Sequence, residues 1–131
     1  MWARDRASQA TGMQIAAIGP GTATLTMQVR PEMLNGHSIC HGGYIFMLAD
    51  SAFAFACNSY NAITVAQSNQ ITYLTPGRPG EMMTAIASES ARQGRSGTYD
   101  VTVTGDDGRK IALFRGLSRT IQGHHFDEDQ I

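Results

Sequence analysis

One carboxylate stands in a run of residues that otherwise carries no charge. Asp50 is the only charged side chain among the fourteen residues from Tyr44 to Cys57. Burying a carboxylate is costly unless it is partnered or reaches solvent, so its presence asks for a reason. It is either a structural residue bonding a neighbouring strand, or a general base or nucleophile held in an apolar cleft. In the second case desolvation raises its pKa and strengthens its basicity. Directly before the run comes His41-Gly42-Gly43. If the run is a helix, its first N–H groups have no intrahelical partner, and two glycines let a ligand approach them closely. Such donors, reinforced by the helix dipole, suit the oxyanion of an acyl-transfer intermediate.

The spacing adds a geometric condition. Gly42 and Asp50 are eight residues apart, which on a helix is about 12 Å along the axis at ~1.5 Å per residue. One carbonyl carbon cannot be served by both from a single helix. If both act on one substrate, the carboxylate must come from a second copy whose helix runs antiparallel, and a two-fold dimer supplies two equivalent sites.

Other polar residues are weaker candidates. His37, Cys40 and His41 match no established zinc spacing and lack a clear fourth ligand, so no metal is expected. Cys40 beside His41 could be a nucleophile and its base, but adjacent side chains point apart. Cys57 falls within the apolar run and reads as core, and His124-His125 reads as tail. Asn35, six residues before His41, could hold a water or orient a neighbour. Arg92, Arg95, Arg115, Arg119 and Lys110 lie on or between late strands, where they either meet phosphates or only solubilise the surface.

The elements around these residues follow from periodicity. Ala23, Leu25, Met27 and Val29 alternate with polar residues from Gly21 to Pro31, as in a half-buried strand. The Tyr44–Cys57 run is too long for a typical strand, its Ala, Leu and Met favour helix, and it is apolar on every side of a helical wheel. It is therefore expected to be a helix buried nearly all round. Further strands are expected over 63–74, 81–91, 96–104 and 110–121, separated by Pro76-Gly77, Pro79-Gly80, Gly94 and Asp106-Asp107-Gly108. Short connections imply an antiparallel sheet. A further strand over 13–18 and a short helix over 2–10 are weaker readings. Residues 1–123 form one domain in this reading, and 124–131 an acidic, loose tail. One apolar helix and five or six antiparallel strands bury their surfaces only if the sheet wraps the helix. The expected class is α+β, in the hotdog arrangement.

Composition excludes several function classes. With 131 residues, 16% charged and a net charge of −1, nothing points to a nucleic acid or an anionic membrane. Two cysteines make no disulfide framework, no apolar segment follows the N-terminal basic residues, and no run reaches membrane length. A cytoplasmic protein is expected.

Leu34-Asn35-Gly36-His37, Cys40-His41-Gly42-Gly43, Leu48-Ala49-Asp50 and 53–58 together resemble the PaaI-type thioesterases of phenylacetate degradation, a hotdog family. The likeness continues through 73–77 and 99–101 to Ala112-Leu113-Phe114-Arg115-Gly116, spanning about residues 7–123. It implies hydrolysis of phenylacetyl-CoA or its ring-hydroxylated relatives by a tetramer of two dimers, without metal or redox cofactor. It also implies Asp50 as the catalytic carboxylate, Gly42 as the oxyanion amide, and Asn35 and His41 as supporting polar groups. Gly43, Ser68, Arg92 and Arg95 are the expected substrate contacts. Related enzymes place a Ser or Thr on the strand facing the aspartate. Here that position holds Ala66, with Ser68 two residues on.

Two rivals stay open. The fold also hosts hydration of enoyl or hydroxyacyl thioesters, although no second carboxylate or His pairs with Asp50 in the sequence. A non-catalytic acyl-CoA-binding protein is the other. Tyr44, Phe53 and Phe55 either line an acyl pocket or are simply core.

Overall fold

Alternating apolar and threonine side chains build the sheet. In the computed structural model, which describes residues 1–126, β1 (Gln14–Gly19), β2 (Thr22–Gln28), β3 (Ala62–Tyr73), β4 (Met82–Gln93), β5 (Ser96–Thr104) and β6 (Lys110–His124) form one antiparallel sheet. Their order is β1-β2-β4-β5-β6-β3. Ala23, Leu25 and Met27 of β2, Met83, Ala85 and Ala87 of β4, and Val101 and Val103 of β5 all face the core and are essentially buried. The hotdog arrangement expected from the sequence is what forms: the sheet curls round α2 (Gly42–Cys57).

Small residues on the concave face make room for the helix. A Cβ at Gly116 of β6 would lie 2.8 Å from the Phe53 ring, so only glycine lets that ring rest on the strand. Phe53 in turn packs at 5.7 Å from Tyr99 and 5.8 Å from Phe114, ring centre to ring centre. Ile45, Leu48, Ala49, Ala52, Phe53, Phe55 and Ala56 form the buried stripe of the helix.

The helix is not buried all round, contrary to the expectation from its composition. Phe46, Met47, Asp50 and Ala54, spaced as neighbours on one helical face, are only half-buried, and Gly43 at the head of that face is exposed. Six strands curl too little to close over this side. The strand bordering the sheet there is β3, twelve residues long and terminal in the strand order.

The connection from β3 to β4 is short, yet the two strands are not neighbours. Residues 74–81 cross the open end of the curl, where the Cys40 N–H donates to the Gly77 carbonyl at 2.9 Å. At the chain start, Asp5 divides the expected helix into a 3₁₀ turn (Trp2–Arg4) and α1 (Arg6–Ala10), because its carboxylate caps α1 through the Ser8 N–H and hydroxyl. The expected loose tail starts too early: His124 closes β6 opposite Ala62, and the His125 and Phe126 N–H groups donate to Asn61. The rest of that tail, 127–131, lies outside the described residues. Among the described residues no helix is long and apolar enough to cross a membrane.

Candidate active site

The start of α2 leaves one amide open. His41 is the N-cap, and its Nδ1 accepts the Gly43 N–H at 2.9 Å. An accepting Nδ1 carries no proton, so the neutral ring bears its hydrogen on Nε2. The Tyr44 N–H turns back to the His41 carbonyl at 3.0 Å. The Gly42 N–H, by contrast, donates to no acceptor among the described residues. Of the two glycines singled out by sequence, Gly42 therefore has the available donor, while the Gly43 amide serves the cap.

Both glycines leave little room for a side chain. A Cβ at Gly42 would lie 3.1 Å from Cζ and Oη of Tyr73, whose hydroxyl donates to the Gly42 carbonyl at 2.9 Å. A Cβ at Gly43 would lie 3.0 Å from His41 Nδ1. Tyr73, the last residue of β3, was not singled out in the sequence, since nothing local marks a strand-end tyrosine as a partner of residue 42.

A cleft of about 380 Å³ opens at this end, lined by Asn35, Ile39, Gly42, Ile45, Tyr73 and Pro76 among others. Asn35 shapes its rim: Oδ1 accepts the His37 N–H at 2.9 Å and the Ile39 N–H at 3.4 Å, folding the loop into an Asx-type turn. Its Nδ2 donates to no acceptor among the described residues. The opposite wall, 74–76, is fastened from behind. The Arg109 guanidinium donates to the Pro76 carbonyl at 2.9 Å and pairs with Glu81. Burial alone would raise the Glu81 carboxyl, but Arg109 and the Arg78 and Asp106 amides hold it below the usual range.

Asp50 does not line this cleft. It lies two helical turns further on, half-buried, and receives one hydrogen bond from the described residues, Asn69 Nδ2 at 3.1 Å. Desolvation raises its pKa above the ordinary carboxylate value, and the Asn69 bond only partly offsets this. Asn69, not Ser68, meets the aspartate. A β-bulge between Ala66 and Ser68 switches the inward phase of β3 from the even positions, with Thr64 buried, to the odd ones, with Asn69 and Ile71 half-buried. Ser68 is exposed. No local signal in the polar run 67–70 reveals which residue faces in.

The remaining candidates sit elsewhere. Cys40 is buried, and its thiol is pushed up to about 11 by burial and then by the nearby Glu81 charge, which leaves no nucleophilic thiolate beside His41. Cys57 is core, raised to about 12 chiefly by burial. Arg92 and Arg95 lie at the far end of α2, next to Cys57 and Tyr60. Arg92 stacks 3.7 Å over the Tyr60 ring and pairs with Glu89 at 3.8 Å. Phe53 and Phe55 are core, and Tyr44 is half-buried outside the cleft lining.

Comparison with known proteins bears on what this arrangement does. The model of the thioesterase superfamily matches residues 37–112. The chain is 42% identical over 123 residues to the acyl-coenzyme A thioesterase PaaI of Escherichia coli K12, spanning 94% of this chain and 88% of that one. It is 35% identical to a putative esterase of Archaeoglobus fulgidus over 88% of this chain and 75% of that one. The structure of the E. coli PaaI protein from the phenylacetic acid degradation operon superposes with a TM-score of 0.93 at 41% identity, covering 95% of this chain and 90% of that one. A mutant of the phenylacetic acid degradation protein PaaI from Thermus thermophilus superposes with a TM-score of 0.86 at 35% identity, over 89% and 100%.

Proposed function

Because the chain belongs to the thioesterase superfamily, we propose that the open Gly42 amide and the raised Asp50 carboxylate act together on the thioester of an acyl-CoA, releasing the free acid and CoA. Phenylacetyl-CoA or a ring-hydroxylated relative is the substrate class, as the PaaI relatives suggest. The observation that carries the reading is the pairing of one unpartnered amide at the mouth of a cleft with one carboxylate in an apolar helix.

The chemistry balances without a cofactor. The thioester carbonyl oxygen receives the Gly42 N–H, reinforced by the helix dipole, so negative charge develops against a fixed donor. Asp50 draws a proton from water as the water oxygen bonds to the carbonyl carbon. The tetrahedral intermediate then collapses, the C–S bond breaks, and the proton passes from Asp50 to the leaving sulfur. Direct attack by Asp50, followed by hydrolysis of the anhydride, uses the same two groups. Asn35 Nδ2 is free to hold substrate at the rim, and His41 fixes the helix start that presents the Gly42 N–H. Arg95 forms no ion pair among the described residues and is the basic contact assigned to the CoA phosphates. Arg92 joins it by exchanging Glu89.

The separation of Gly42 and Asp50 along one helix makes the site a property of two chains. The half-exposed stripe of α2 and the long unpaired edge of β3 lie on the same side. That edge carries exposed Val65 and Tyr73, and such an edge favours strand pairing with another copy. A two-fold dimer across it sets the Asp50 stripe of one copy towards the cleft of the other, and two such dimers form the tetramer.

Thiol release measured over aryl and fatty acyl-CoAs tests the activity. Asp50→Asn is expected to lose about 10³-fold in turnover, the scale of a missing general base. Undiminished turnover in that variant would remove Asp50 from the mechanism. Loss of enoyl absorbance without thiol would replace hydrolysis with hydration, and saturable acyl-CoA binding without turnover would make the chain a binding protein.

A further inference from the structure

Asn69 is placed against the interest of its own strand. Asparagine is depleted in strands, and its half-buried amide is only half satisfied: Nδ2 bonds Asp50, while Oδ1 is buried with no hydrogen-bond partner among the described residues. Leaving a buried acceptor unpaired costs about 1–3 kcal/mol, which an apolar residue at this position would avoid. The bulge at Gln67 is what turns residue 69 inward in place of residue 68. A bulge and an unfavourable residue thus combine to deliver one N–H to one carboxylate.

We propose that Asn69 is the positioning residue of Asp50, fixing the carboxylate for attack on the thioester; this rests on the reading of Asp50 as the reacting carboxylate. It is the only hydrogen bond Asp50 receives among the described residues, so without it the carboxylate rotates about its own side-chain bonds. The same bond favours the ionised form that catalysis needs and counteracts desolvation. The polar and titratable groups of the neighbouring elements do not take over this task. On its own helix, Cys57 feels the Asp50 charge but is itself a buried thiol. On β3 the residues flanking Asn69 are uncharged. On β6, Arg115 is held at the surface by Asp100. On β5, Tyr99 gives its hydroxyl to Glu89. From α1, Ser8 meets Ser51 and also bonds Asp5.

The test is the pH dependence of phenylacetyl-CoA hydrolysis by Asn69→Ala and by the isosteric Asn69→Asp. In Asn69→Ala, kcat on the plateau falls roughly ten- to a hundredfold from lost orientation, KM stays near the wild-type value, and the acidic limb moves to higher pH. In Asn69→Asp that limb moves higher still, because two carboxylates then share one site. Since the aspartate keeps the shape of the asparagine but lacks its N–H donor, its plateau kcat, expected to fall as in Asn69→Ala, decides the matter even if the alanine variant unfolds. Profiles that superimpose on wild type, or a change confined to KM or Tm, would overturn the assignment. Asp50→Asn serves as the control: if it is inactive while the Asn69 profiles are unmoved, only the role of Asn69 fails, and if it retains full turnover, the catalytic reading itself fails.

Discussion

The two ends of α2 carry similar sequence material and opposite chemistry. At its start, His41-Gly42-Gly43 and the Asn35 loop leave the Gly42 N–H and Asn35 Nδ2 unpartnered among the described residues, and Asn35 and Gly42 both line a cleft. At its end, Asn58-Ser59 engages both of its side chains. Asn58 Nδ2 donates to the Ala54 and Thr64 carbonyls at 2.7 and 3.0 Å, and its Oδ1 accepts from the Thr64 N–H at 2.9 Å and pairs with His125 Nε2 at 2.7 Å. The Ser59 hydroxyl donates to Ala56 and accepts from Gly21. A polar residue beside an apolar helix is thus no evidence of function by type alone. What separates the ends is whether the fold has used its donors and acceptors.

Substitutions at the two ends should therefore fail in different ways. Between them, Asp50→Asn produces the largest loss of turnover, while its thermal stability at neutral pH is expected to hold or rise. Burial raises the folded-state pKa of Asp50, so its ionisation opposes folding at pH values above that pKa. The penalty disappears below the ordinary carboxylate range, and a Tm series against pH should show the gain of Asp50→Asn shrinking as pH falls. Next in size, Gly42→Ala drives a methyl against Tyr73 and displaces the amide. Stopped assays of thiol release should show kcat down roughly a hundredfold. At the other end, Asn58→Ala should cost about 1–3 kcal/mol by denaturant unfolding, from unpaired buried backbone groups, with kcat/KM unchanged. A matching fall in kcat/KM would erase the contrast. The smallest effect is Tyr73→Phe, which removes a half-exposed bond of about 1 kcal/mol and should lower kcat about fivefold.

How much of this was legible in sequence depends on the range of the interactions involved. The period-2 alternation of Ala23, Leu25 and Met27 and the long apolar run to Cys57 are local patterns, and both elements formed close to where the patterns placed them. The spacing of Gly42 and Asp50 already separated them along one helix, as found. The order of the strands was not legible, because the connection 74–81 that carries the chain from β3 at the far edge to β4 between β2 and β5 has no local signal that sets it apart from a link between neighbouring strands. Asn69 was invisible for a related reason: in the polar run 67–70 the inward residue is chosen by the bulge opposite β6, a long-range feature. Composition also overstated the burial of α2, since it records that a surface is apolar and not whether the sheet of the same chain reaches over it.

Subunit mixing tests the shared site most directly. Asp50→Asn and Gly42→Ala subunits, each nearly inactive as purified, should be mixed in equal amounts, allowed to exchange, and assayed for thiol release. If one copy's Asp50 serves the other's Gly42, about half the dimers are mixed and each has one intact site of two. Turnover then recovers to about a quarter of wild type. If exchange is complete and turnover stays at the level of the parent variants, both groups act from the same chain and the shared site is wrong.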